Sequence, residues 1–186
     1  MGSAQLSGAD WWRKNQSRYP NSRDVDDLEP GFRSRVEDFV ASLRQAGAAI
    51  TVNSTRRNEQ RAFLMHYSWK VAYGEIAPNE VPSGGIDIEW DHGDDEKSRQ
   101  GAMEMVRLFN MAHIASLRSN HISGKAIDMN ISWQGELVVT RPTPLLWRIE
   151  STPRSGQNRE IHDLGATMFG VRKLVKDPPH WSHDGR

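Results

Sequence analysis

The chain has 186 residues, 37% hydrophobic and 26% charged, which suits one folded domain rather than a disordered polymer. Its 24 Lys and Arg balance 24 Asp and Glu, so no global basic field recruits nucleic acid. Cysteine is absent, which excludes disulfides, thiol nucleophiles and thiolate zinc sites; any metal must be held by Asp, Glu or the 7 histidines.

No apolar run approaches the roughly 18 residues of a membrane span, and the first residues carry no apolar core of a signal peptide. Residues 1–30 are polar and turn-rich, and read as an extension held to the body by Trp11 and Trp12. Residues 31–186 read as a single domain. In "LEPGFRSRVEDFVASLRQAG", Phe32, Val36, Phe39, Val40 and Leu43 share one helical face, and Gly47 ends the helix. "AAITVN" reads as a short buried strand, and Asn58 as the cap of a helix that Gly74 closes. Residues 75–96 form a long loop whose acidic stretch "DIEWDHGDDE" reads as either a cation site or a solvated segment leading into the next helix; the second reading is favoured. That helix is expected over 97–113, with Ala102, Met105, Val106, Phe109 and Ala112 on its core side. A hairpin in "NISWQGELVVT" turning at Gln134-Gly135, a Pro-rich loop and a helix around "NREIHDLGATMFG" complete an α+β pattern with a small antiparallel sheet flanked by helices.

The chemistry concentrates in "SNHISGKAIDMNI". In an extended "AIDMNI", Ile127, Met129 and Ile131 share one face, while Ala126, Asp128 and Asn130 share the other. A turn at Gly124 would bring His121 back beside Asp128. The pair reads either as a hydrogen-bonded couple or as two-thirds of a catalytic zinc site, which takes three protein ligands. "KLVKDPPHWSHDG" offers His180 as the third ligand and Asp177 as a general base on a proline-stiffened arm, or else is a plain surface turn. His183 competes as a ligand. Arg56 or Arg57, where strand gives way to helix, suits a substrate carboxylate or an oxyanion, or else the pair is plain solvated surface. His66, His92 and His113 read as structural or surface residues, and His162 as one that could reach the cleft.

These segments together resemble the zinc peptidases that cleave D-amino-acid bonds in peptidoglycan. That family includes D-alanyl-D-alanine carboxypeptidases and phage L-alanyl-D-glutamate endolysins, and shares a fold with the Hedgehog signalling domain. Its motif Ser-x-His-x-x-Gly-x-Ala-x-Asp is matched by Ser119, His121, Gly124, Ala126 and Asp128. Its acid-x-x-His-aromatic motif is matched by Asp177, His180 and Trp181, and its upstream Ser, Arg and Gln by Ser54, Arg56 and Gln60. The resemblance spans residues 30–184. It implies Zn2+ held by His121, Asp128 and His180, Asp177 as catalytic acid/base, Arg56 at the substrate carboxylate or oxyanion, and Ser119 against substrate. It also implies a monomer acting on peptidoglycan stem peptides in the cell wall, phage-encoded or exported without a visible signal. An endolysin-like endopeptidase is favoured, because Asp177 stands where the carboxypeptidases often carry glutamate. The alternatives are a D-alanyl-D-alanine carboxypeptidase and a non-catalytic zinc-binding module.

Overall fold

The helical face Phe32–Leu43 needs a start signal, and Glu29 supplies it: its carboxylate accepts from the N–H groups of Gly31 and Phe32, with Pro30 in the first turn. In the computed structural model, which describes residues 5–140 and 146–186, that helix is α2, Pro30–Gln45. The Pro-rich loop expected after Thr140 falls at 141–145, outside the described residues. In chain order the elements are α1 Ala9–Asn15, α2, β1 Ala49–Ser54, α3 Glu59–Ala72, α4 Asp95–Leu108, β2 Ala126–Ser132, β3 Leu137–Thr140, β4 Leu146–Ile149, α5 Arg159–Leu164, β5 Arg172–Lys173 and β6 His180–Ser182. A π-helical turn, Gly165–Phe169, follows α5. This is an α+β chain with a small antiparallel sheet and helices. No helix among the described residues is long and apolar enough to cross a membrane.

The contacts divide the chain into two compact units, Met1–Pro20 with Asn58–Ser119, and Asn21–Arg57 with Asn120–Arg186. The first is helical. Trp11 and Trp12 of α1 are buried in its core with Leu64, Val71, Ala102 and Met105. The Trp11 indole N–H donates to the Asp87 carbonyl at 2.9 Å, so its one polar atom is satisfied. Asn58 caps α3 by accepting from the Arg61 N–H. The acidic stretch serves local turns: Asp94 caps α4 through the Lys97 N–H, Asp91 accepts from Gly93, and Glu89 accepts from Asp91. Helix α4 is shorter than expected and shifted, because Asp94 starts it early and Asn110, left-handed at φ 53°, ends it. Ala112 is consequently exposed, outside the helix.

The second unit holds a four-stranded sheet of order β1-β2-β6-β5, every pair antiparallel. Beneath it, Phe32, Val36, Phe39, Val40 and Leu43 of α2 pack with Ile127, Met129, Ile131, Ile161, Leu164 and Trp181. The Phe39 and Trp181 rings lie 5.4 Å apart. Each such buried side chain contributes about 1.5–3 kcal/mol relative to exposure. Two expectations change here. The strand β1 is not buried: it is the edge of the sheet, and its residues are half-buried or exposed. The hairpin across Gln134-Gly135 does not form between β2 and β3. Both edges of β2 are taken, by β1 and β6, so β3 pairs with β4 in a separate two-stranded sheet.

Candidate metal centre

Strand β2 is central, and its alternation sends Ile127, Met129 and Ile131 into the core while Asp128 faces the other way, half-buried. The register sets Ser54 opposite Asp128 on one side and His180 opposite it on the other. Between Val52 and Ser54 the β1–β2 register shifts, a bulge that re-aims the chain just before Thr55.

His121 reaches this strand from a tight turn. The Lys125 N–H bonds the Asn120 carbonyl at 2.8 Å and the Gly124 N–H bonds the His121 carbonyl at 3.3 Å, the paired bonds of a Schellman motif closed by a left-handed residue. That residue is Gly124, at φ 69°. A Cβ there would stand 2.8 Å from the Glu29 nitrogen, so glycine is required by backbone angle and by space together. The His121 carbonyl also accepts from the Arg57 N–H at 3.0 Å, which pins the histidine's own backbone. His180 is fixed from the other side: its N–H bonds the Asp177 carbonyl at 3.1 Å, and the Pro179 carbonyl accepts from the Met129 N–H at 2.8 Å.

The three side chains converge. His121 Nε2 lies 3.1 Å from Asp128 Oδ1 and 3.1 Å from His180 Nδ1, and His180 Nδ1 lies 3.2 Å from Asp128 Oδ1. The outer nitrogens assign the tautomers. His121 Nδ1 sits 2.6 Å from the Thr55 carbonyl and His180 Nε2 3.0 Å from the main-chain oxygen of Arg186. A carbonyl only accepts, so each outer nitrogen carries its hydrogen. In the neutral imidazoles the inner nitrogens then turn lone pairs toward one another and toward a carboxylate oxygen. Three acceptors at this range repel unless a proton or a metal cation stands among them. The spacing fits a metal cation: ligand atoms about 2.0–2.1 Å from a tetrahedral zinc are about 3.3–3.4 Å apart. Backbone oxygens on the outer nitrogens are the usual orienting partners of metal-bound histidines.

The electrostatics match. In the metal-free cluster, where a proton takes the cation's place, burial works against the Asp128 charge, but hydrogen bonds from His121 and His180 outweigh it and hold the carboxyl well below the usual range. Burial also disfavours a charged His180, yet hydrogen bonds to Asp128 and the Arg186 oxygen, with the charges of Asp128 and Asp177, leave its pKa raised. Side-chain exposure is 4% for His121, 8% for His180 and 21% for Asp128, so the cluster meets solvent on the carboxylate's side.

Among the described residues, His121, Asp128 and His180 form the one group of three or more His, Asp or Glu side chains able to hold a metal ion. Asp177 is exposed and outside that group, though its charge acts on His180. His183 is also outside it, with Nδ1 3.7 Å from Asp184. His162 bonds the Gly156 carbonyl at 2.9 Å and stands edge-on to Trp181, a packing role. His66 bonds the Ala115 carbonyl, His92 the Ser7 hydroxyl, and His113 is exposed. Arg56 is exposed, and its carbonyl accepts from the Ser22 N–H. Arg57 is the more buried of the pair, and its Nε is buried without a hydrogen-bond partner. Ser119, half-buried, closes the first unit. Three features escaped the sequence reading: the bulge, the Thr55 carbonyl and Lys173. None carries a motif, since each acts through backbone position or a long-range contact. Comparison with protein-family models, curated proteins and solved structures finds no match.

Proposed function

We propose that this chain is a zinc-dependent peptidase that hydrolyses amide bonds in the stem peptides or cross-links of peptidoglycan. The observation that carries the metal is the convergence of three acceptor atoms at 3.1–3.2 Å on His121, Asp128 and His180, with both outer imidazole nitrogens already bonded to main-chain oxygens. The substrate class is supported by the motif spacing around Ser119, His121, Gly124, Ala126 and Asp128 and around Asp177, His180 and Trp181.

Bound zinc would lower the pKa of water and polarise the scissile carbonyl. The chain's own residues supply the rest. Asp128 and His180, on the paired strands β2 and β6, and His121, on the turn before β2, would hold the ion. Asp177, exposed on the loop before His180, would take the proton of the attacking water and return it to the leaving amine. Arg56 would meet the substrate carboxylate or the developing oxyanion, and Ser119 would hydrogen-bond substrate. The solvent-facing side of the cluster, at Asp128, suits an open coordination position rather than the closed fourth ligand of a structural site.

Such an enzyme works on the cell wall, in the periplasm or outside the cell, as a monomer. Incubating the purified protein with sacculi, with and without a chelator, tests the proposal by mass spectrometry of the products. Cleaved stems or cross-links that disappear on chelation and return with zinc are expected of an endopeptidase. Free D-alanine alone would assign a carboxypeptidase. No zinc-dependent product would overturn the enzymatic reading, and four protein ligands on zinc would favour a non-catalytic module.

A further inference from the structure

Lys173 is a lysine with almost no access to solvent, on the short strand β5. Its ammonium has three donors, and three carbonyl oxygens receive them: Leu174 at 2.7 Å, His180 at 3.0 Å, and Asp177 as well. The same nitrogen lies 5.6 Å from the centroid of the Trp181 ring, within cation–π range. The three acceptors belong to one loop, the segment from 174 to 180 that carries Asp177 and ends at His180. That loop folds back on itself: the Asp177 N–H bonds Leu174, the His180 N–H bonds Asp177, and the Leu174 N–H bonds His180. Its carbonyls therefore point inward and crowd together, and the ammonium adds a second donor to each and offsets their mutual repulsion, which an apolar side chain could not do.

We infer that Lys173 is a positioning residue whose ammonium organises the loop that presents Asp177 and His180 to the metal centre. Part of this rests on the reading that His180 ligates zinc and Asp177 is the base. The loop ordering itself does not. Burial lowers the pKa of Lys173 and the charges of Asp177 and Asp128 raise it, with burial prevailing. Its positive charge acts on Asp128, one of the three candidate ligands, which makes the sign of a metal measurement informative. If Lys173 acted only through its charge, removing it would tighten the binding of a divalent cation. If it positions the loop, removing it loosens His180 and weakens binding.

The test uses the full chain with Lys173→Met, which keeps length and apolar stem while deleting charge and donors. Lys173→Gln, with two neutral donors, is the second variant should the first not fold. Amide hydrogen exchange on the metal-free protein should show Asp177 and His180 exchanging about tenfold faster or more, with the β1–β2 ladder unchanged. Zinc affinity, from competition with a chromophoric chelator, should fall about 10–100-fold, the usual loss when a ligand's supporting partner is removed. Unchanged loop exchange overturns the inference, as does tighter zinc binding, or an equal loss of protection in the loop and the β1–β2 ladder. If the wild-type protein binds no zinc, the peptidase reading fails while the exchange data still decide the role of Lys173.

Discussion

Replacing Asp128 by Asn tests the metal centre most directly, because it keeps the side chain's shape and removes the one negative charge among the three converging atoms. In the structure that carboxylate oxygen stands 3.1 Å from His121 Nε2 and 3.2 Å from His180 Nδ1, and no other acid among the described residues joins that group. Structural zinc sites bind with about 10–16 kcal/mol, or about 2.5–4 kcal/mol for each of four ligands, so losing one costs roughly 10²–10³ in affinity. At zinc 1,000-fold above its dissociation constant, the wild-type protein gains about 4.1 kcal/mol, and the variant at the same zinc keeps only about 0.4–1.4 kcal/mol. In a chain of this size about 1 kcal/mol moves Tm by about 2–4 °C, which turns a wild-type zinc shift of about 8–16 °C into about 1–6 °C. Thermal denaturation with and without zinc, paired with isothermal titration, reads both quantities. A variant that keeps the wild-type zinc shift shows that Asp128 is not a ligand, and a wild type with no shift reduces the cluster to a hydrogen-bonded group.

Acidity offers an independent check. The pKa of His180 is raised above 6.5 in the fold, so its stabilisation is full below that value and is lost as pH rises through the folded pKa. That of Asp128 is lowered from 3.8, so its contribution holds above that value and fades as pH falls toward the folded pKa. Metal-free Tm should therefore drop as pH rises above about 6.5, while the zinc-induced gain grows over the same range as zinc displaces the proton; a zinc gain independent of pH counts against His180 as a ligand. Asp177→Ala should lower peptidoglycan hydrolysis by about 10²–10⁴-fold with zinc still bound by titration, and wild-type turnover would show the base to be wrongly assigned. Gly124→Ala places a Cβ 2.8 Å from the Glu29 nitrogen at φ 69°, so stability should fall by about 1–3 kcal/mol and zinc binding weaken with it; an unaffected variant would mean the turn does not set His121.

The parts of the fold legible in the sequence are those that short-range physics decides. The face Phe32, Val36, Phe39, Val40 and Leu43 is the buried face of α2, since periodicity and core side coincide in an amphipathic helix. Asn58 caps α3, and β2 alternates as its residues dictate. The convergence of His121, Asp128 and His180 was legible because each sits at a place that local rules constrain: a glycine turn, a polar strand face and a proline-stiffened arm. Strand partners were not legible. The turn residues at Gln134-Gly135 favour a hairpin locally, but nothing near them reports that β6, some fifty residues on in the chain, takes the free edge of β2. The same limit hid Lys173, which reads in "VRKLVKD" as one more surface cation and is identified only by the three carbonyls of a loop that folds around it.

What holds the three candidate ligands is mostly main chain. His121 is oriented by the Thr55 carbonyl and His180 by the Arg186 oxygen, while Asp128 is a residue of the central strand. The strand that carries Asp128 rests on a core that includes Phe32, Phe39, Leu43, Met129 and Trp181, none of which touches the polar cluster by hydrogen bonding. The candidate ligand set is therefore held by main-chain contacts that involve no ion, unlike a small zinc finger whose folding energy is its metal energy. An ion bound here would replace the proton shared by these side chains rather than organise a chain. A set held this way would keep its geometry through the proposed hydrolysis, which is the property that electrostatic catalysis asks of a site.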